Sequence, residues 1–414
     1  MSQPAAHQVP FRTVIVNARE IKQRDSARAE HFLAGHHPHG PAAFRNCNAM
    51  KGRKHHHSGG SSSAPGGSSS PPDPTTTVNV TDAAVTYLAT LAVGSPATNY
   101  DLLIDTGSSN TWISAVDKRY NATSTSKDTR KKFQISYGSG SCSGTEYTDQ
   151  VALGPKLVIK DQAIGVADQA ADMNGMDGIL GIGPVDLTQG TMADSQGGIP
   201  TVTDNLLKQH CIPTEAIGIF YQPTTTADAS GGSLSFGGPD HTKYTGEINY
   251  VPITKQSPAS HYWGIEQSIS YGDKEIMAMA SGIADTGTTL LMVPTEVFKA
   301  YQKETGAVLD QSTNLLTVTE EQYKMMKSMF FNIGGVKYEL TKNAQLFPRS
   351  MNETIGAPNG KICLIFADMG NINVGDGLCF INGYTFLQRF YSVYDVSNER
   401  VGFATTEFTM ATTN

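Results

Sequence analysis

Cysteine is scarce in this chain. Five residues, at positions 47, 142, 211, 363 and 379, form no Cys-x-x-Cys and no Cys/His cluster, which excludes a zinc-ribbon or a dense disulfide scaffold. Histidine is withheld from most of the length: eight of the eleven precede residue 78, leaving only His210, His241 and His261, too few for chemistry built on several histidines. His55-His56-His57 reads as a solvated patch, so no metal and no cofactor is implied. No apolar run approaches the roughly 18 residues that span a bilayer, so a membrane span is not expected. No basic tract points to a nucleic acid partner. The first ten residues, Met1 to Pro10, lack the apolar core of a signal peptide. Charged residues are only 17% against 39% hydrophobic, the balance of a folded globular protein.

What is present divides the chain. At 414 residues it exceeds one ordinary domain and suggests two packed units. Residues 1–77 carry nine Lys/Arg and four Asp/Glu, a net +5; the remaining 22 and 34 give residues 78–414 a net −12, and the two parts attract. Between Ser58 and Pro74, fifteen of seventeen residues are Gly, Ser or Pro, a composition that cannot pack a core and reads as a linker. Upstream, a short strand-like piece (Val14 to Val16) precedes a basic, helix-compatible piece, the pattern of an accessory segment; its bland alternative is a disordered tail. From Val78 onward, short apolar runs alternate with Gly, Asn, Asp and Pro, which predicts a mainly β fold. Three helices are expected: Val202 to His210 after Pro200, Thr295 to Gln302 entered at Pro294 and stopped near Gly306, and Glu320 to Ser328 behind a Thr319/Gln322 capping box.

The informative feature is a repeat. LLIDTGSSNTW (102–112) and GIADTGTTLLM (282–292) each set Asp-Thr-Gly and hydroxyl residues after an apolar strand, 180 residues apart. One Asp-Thr-Gly is weak, since it usually marks an ordinary turn. Each copy here has a later partner, Ile179-Leu180-Gly181 or Ile381-Asn382-Gly383, so a duplicated lobe is implied. Aspartates on two such loops can meet across a pseudo-twofold axis, with glycine allowing the tight backbone. Two carboxyls that close share a proton, one accepting from water while the other donates to a carbonyl.

From about Val78 to the C-terminus the chain resembles the pepsin-type aspartic peptidases, most nearly the polyporopepsin-type enzymes of basidiomycete fungi, the latter through YGSGSCSGTEYTD, PTVTDNLL, INGYTF and FYSVYDVSNERVGFATT. The resemblance implies a mainly β, bilobal pepsin-like fold, with two pseudo-twofold-related lobes (78–253 and 254–414), a cleft between them and a few short helices. Residues 1–57 would be a propeptide and 58–77 a linker holding the processing site. By the same resemblance Asp105 and Asp285 are the catalytic pair. Thr106, Gly107, Ser108, Thr286, Gly287 and Thr288 support the two loops, Tyr137, Gly138 and Ser139 belong to a substrate-closing flap, and Trp112 is the indole partner of Tyr137. On the residues alone, Tyr137 and Trp112 read equally as core aromatics. The implied activity is acid endopeptidase cleavage between large hydrophobic residues. The implied partners are protein and peptide substrates, and the enzyme would be a monomer, secreted or vacuolar.

The chain departs from the family at Asn382, where a leucine often packs, and at Cys363, whose usual partner cysteine is missing from the region of Thr317 to Tyr323. Cys363 and Cys379, flanking a turn-rich stretch, are then the expected disulfide, although four cysteines after residue 78 allow three full connectivities. Among the lysines, Lys22, Lys51 and Lys54 are candidates for the group that inhibits the dyad. Sequons at Asn79, Asn121 and Asn352 permit glycosylation in a secretory route. Two competing classes are an inactive pepsin-like binding or inhibitor protein and a two-carboxylate glycosidase. Intact aspartates with their neighbouring Thr, Gly and hydroxyl groups argue against the first, and a glycosidase needs no paired Asp-Thr-Gly loops.

Overall fold

The computed structural model describes residues 7–14, 18–34, 86–114, 118–138, 140–171, 176–193, 198–223, 230–373 and 375–414. The linker, Lys51, Lys54, Ser139 and Asn79 lie outside these. Strand is the main regular structure of the described chain, in a 13-stranded, a 7-stranded and a 3-stranded sheet. The helices expected after residue 200 are short because the sequence supplies capped amphipathic runs only briefly there. Val202–Lys208 starts at a Thr201/Asp204 capping box. Thr295–Thr305 ends at Gly306 with φ 69°, a left-handed cap that glycine adopts freely. Glu320–Met325 opens on the expected Thr319/Gln322 box but stops before Ser328, because Met326 is already extended.

The sequence repeat is a structural one. In the first lobe Thr98–Asp105 runs parallel to Gly178–Gly181, pairing Ile104 with Leu180 and Asp105 with Gly181. The chain then returns through Thr111–Ile113, antiparallel to the same short strand. The second lobe repeats this: Lys274–Ala284 pairs in parallel with Ile381–Asn382, and Leu291–Val293 returns antiparallel to it. Each Asp-Thr-Gly loop is therefore pinned between two strands that share one partner. The partner's glycine is needed for closeness, since a Cβ on Gly181 or Gly383 would overlap the backbone of the facing loop.

The N-terminal segment is built into this frame. Its strand is His7–Val14, upstream of the expected Val14 to Val16. It enters the large sheet antiparallel to both neighbours, with Val9 opposite Leu234 and Phe11 opposite Ala89. Main-chain pairing with a strand on each side fixes this position; Ile15 and Val16 of the expected piece lie outside the described residues. The basic piece folds as the expected helix, Ala18–Leu33. Ile21, Asp25, Arg28, Ala29 and Phe32 recur at helical spacing and are all buried, so one face of the helix is packed into the protein.

The expected Cys363–Cys379 disulfide is absent, and both thiols are free and buried. Cys363 sits in the three-stranded sheet opposite Thr317, whereas the Cys379 amide is held on Ser281 of the seven-stranded sheet and its Sγ donates to the Asn373 carbonyl at 3.2 Å. The two sulfurs are committed to different layers.

Candidate active site

Asp105 and Asp285 are fully buried and share one site, each held by its own loop in the same manner. The Gly107 amide donates to Asp105 Oδ1 at 3.0 Å and the Gly287 amide to Asp285 Oδ1 at 3.2 Å. The Ser108 hydroxyl donates to Asp105 Oδ2, and the Thr288 hydroxyl to Asp285 Oδ2 at 2.6 Å. All six loop residues named from sequence are thus assembled here. The threonines join the loops: the Thr106 amide donates to Thr286 Oγ1 at 3.0 Å, and the Thr286 amide to Thr106 Oγ1 at 2.9 Å. This reciprocal bond fixes the separation of the lobes at the point where the carboxyls meet. Glycine is required beside them, because a Cβ on Gly107 would stand 2.7 Å from Asp285 Oδ1, and one on Gly287 2.6 Å from Asp105 Oδ1.

The structure also brings a residue into the site that sequence reading did not select. Arg28, from the buried face of the N-terminal helix, donates through Nε to Asp285 Oδ2 at 2.7 Å and through Nη2 to Asp285 Oδ1 at 3.0 Å, and Nη2 also donates to Asp105 Oδ1. One guanidinium nitrogen therefore bridges the inner oxygens of both carboxylates, a geometry suited to the planar arginine fork. Among the described residues it is an arginine, not a lysine, that holds the two carboxyls. Lys22 faces elsewhere, donating to Ser26 Oγ at 2.7 Å and to the Asp368 carbonyl. The legible signal was the Asp25/Arg28/Phe32 spacing, which puts an acid, a base and an aromatic on one helical face.

Neighbouring groups lock the helix around Arg28. Asp25 accepts from the Thr289 amide at 3.0 Å and the Leu290 amide at 2.7 Å, just beyond the second loop. The Phe32 ring meets Tyr262 edge-on at 4.8 Å, and the Arg28 guanidinium lies 4.9 Å from the Phe32 centroid. On the other side, a Cβ on Gly138 would overlap the backbone of Ala27 and Arg28, so the end of the antiparallel pair Lys127–Ser136 and Ser141–Gly154 lies directly against the helix. Tyr137 and Trp112 are both buried, and Trp112 Nε1 donates to the Tyr137 hydroxyl at 2.8 Å.

Electrostatics separates the two aspartates. For Asp285 burial pushes the pKa up, but the Arg28 charge and hydrogen bonds, with those of Thr288 and Gly287, outweigh it and hold the carboxyl below its usual range. Asp105 is shifted upward, because burial and the charge of Asp285 outweigh Arg28, Ser108 and Gly107. With Arg28 docked, the twin carboxyls therefore sit in unlike environments, one shifted down and the other up.

Comparison with known proteins agrees with this geometry. The family described as eukaryotic aspartyl protease matches residues 86–406. Polyporopepsin of Irpex lacteus is 53% identical over 340 residues, 82% of this chain and 99% of that protein. Cathepsin E of Rattus norvegicus is 31% identical over 338 residues, 77% of this chain and 79% of that protein. The crystal structure of the aspartic proteinase from Irpex lacteus superposes with a TM-score of 0.77 at 54% identity, covering 80% of this chain and 97% of that one. The match spans both Asp-Thr-Gly loops and the strands that pin them, and the chain belongs to the eukaryotic aspartyl protease family as a polyporopepsin-like aspartic endopeptidase.

Proposed function

We propose that Asp105 and Asp285 are the catalytic pair and that the N-terminal segment, residues 1–57, is an inhibitory propeptide. The observation that carries this reading is the single Arg28 nitrogen shared by the inner oxygens of both carboxylates. With the helix withdrawn, the ionised carboxylate takes a proton from water as the water attacks the substrate carbonyl, and the protonated one donates to the carbonyl oxygen. Thr106 and Thr286 hold the carboxyls in register, while Ser108 and Thr288 orient their outer oxygens. Tyr137, Gly138 and Ser139 form a flap over the substrate, steadied by the Trp112–Tyr137 hydrogen bond. The lobes correspond to 78–253 and 254–414, and the linker at 58–77 carries the processing site.

The enzyme acts as a secreted or vacuolar monomer on protein substrates at acid pH, preferring large apolar side chains at the scissile bond. Asp105→Asn and Asp285→Asn each test the catalytic assignment. Either should abolish cleavage of denatured haemoglobin at acid pH while leaving the circular dichroism spectrum unchanged. Substantial activity in either folded variant would overturn it.

A further inference from the structure

Asn382 stands in the second lobe where Leu180 stands in the first, and both are fully buried. An amide in such a place is costly unless paired. It is paired: Asn382 Nδ2 donates to Gln267 Oε1 at 2.8 Å, and Gln267 Nε2 donates to Asn382 Oδ1 at 3.1 Å, with Gln267 equally buried. The two side chains close a reciprocal ring 115 residues apart in sequence.

The position of this ring gives it a consequence for Asp285. The Asn382 carbonyl accepts the Asp285 amide at 3.1 Å. Asn382 also pairs with Ala284 on the strand entering the loop and with Leu291 on the strand leaving it. The residues that follow continue the cradle, with the Tyr384 amide donating to the Thr288 carbonyl at 2.8 Å and the Thr385 amide to Thr289 at 3.0 Å. Gln267 lies on the next strand, Gly264–Tyr271, paired with Ala280 and Ile333. A displaced Asn382 would therefore move the backbone from which the Asp285 carboxyl projects.

We propose that Gln267 and Asn382 are positioning residues, an amide clasp that sets the Asp285 loop where the first lobe relies on apolar packing around Leu180. This rests on Asp285 being catalytic. A directional, two-bond clasp resists sliding of the short strand along its neighbours, which packing around a leucine resists only through shape.

The test uses the full chain after acid activation, with Asp285→Asn alongside as the control for the catalytic reading itself. Gln267→Leu and Asn382→Leu each strand one buried amide and should lower kcat by about tenfold with KM nearly constant, since small misplacements of reacting groups cost rate. The double variant should be no worse than either single one, because no lone amide remains. Gln267→Glu adds a readout that a merely structural role would not move. Protonated, its carboxyl keeps one donor and one acceptor, so kcat should stay near the parental value at low pH. Once ionised it loses the donor, and kcat should fall more steeply with rising pH than in the parent. Folded leucine variants with parental kcat, or a Gln267→Glu pH profile superimposed on the parent's, would overturn the proposal. Activity in Asp285→Asn would instead strike at the catalytic assignment.

Discussion

Arg28→Ala removes the guanidinium and little else, since alanine keeps the helix at least as well as arginine does. Arg28 is buried against two carboxylates, and breaking a buried ion pair from one side costs about 3–5 kcal/mol. At about 1.4 kcal/mol per tenfold, the ratio of docked to released helix should fall between about a hundredfold and a few thousandfold. Arg28→Lys should lie between the two, because one ammonium cannot satisfy Asp105 Oδ1 and both oxygens of Asp285 together. The sign with pH follows from the directions of the carboxyl shifts. Asp285 is held below its usual range in the docked state, so its contribution is complete above the ordinary carboxylate value of about 3.9 and is lost as pH falls through the depressed one. Burial and Asp285 push Asp105 up but Arg28 lowers it, so that ion pair also weakens with acid in the same sense. Release of the parent should therefore set in only below about pH 4. The assay is cleavage of a quenched fluorescent peptide by the intact full chain from neutrality down to acid. Arg28→Ala should be active at a pH where the parent is silent. An Arg28→Ala chain as latent as the parent across that range would refute the lock.

The remaining expectations concern three other residues. Burial pushes Asp25 up to about 7 against the opposing Thr289 and Leu290 amides and Lys22. Its docking contribution is thus complete below about 3.9 and lost as pH rises through about 7, so Asp25→Asn should flatten the change in latency between those values while leaving acid release in place. Latency of Asp25→Asn that still varied with pH as in the parent would contradict this. On the proposed flap role, in which Ser139 meets the side chain before the scissile bond, it offers no carboxylate to a lysine ammonium there, so Ser139→Asp should raise kcat/KM for a peptide with Lys at that place more than for its Phe counterpart. Equal gains would remove Ser139 from control of that pocket. Asn352 is buried and its amide donates to the Lys361 carbonyl at 2.8 Å and the Pro358 carbonyl at 3.2 Å, so mass spectrometry of protein made in a secretory host should find glycan at exposed Asn121 and none at Asn352. A folded, active protein glycosylated at Asn352 would contradict the packing there.

The two aspartate loops were legible because each is a local signal repeated: an apolar strand, Asp-Thr-Gly, then hydroxyls, with a glycine-bearing partner strand downstream. The three later helices were legible for a similar reason, since Thr201, Thr319 and Gly306 are caps that act within one turn. The Cys363–Cys379 pairing failed because sequence proximity across a turn says nothing about which sheet each cysteine joins. Asn352 met the sequon rule, yet its use as a buried donor depends on carbonyls brought to it by the loop that follows.

By itself the sequence determined the chemistry of this protein, because two carboxyls with their glycines, threonines and hydroxyls are specified within a few residues of each other. The tertiary structure decided what those carboxyls touch. Arg28 reaches Asp285 across 257 residues of chain, and it does so only because the strand His7–Val14 pairs into the large sheet and delivers the helix to the cleft. Asn382 looked like a defect until Gln267 was placed opposite it. Contacts between distant segments depend on how strands pair and helices dock, and neither the charge of an arginine nor the amide of an asparagine carries its partner's address.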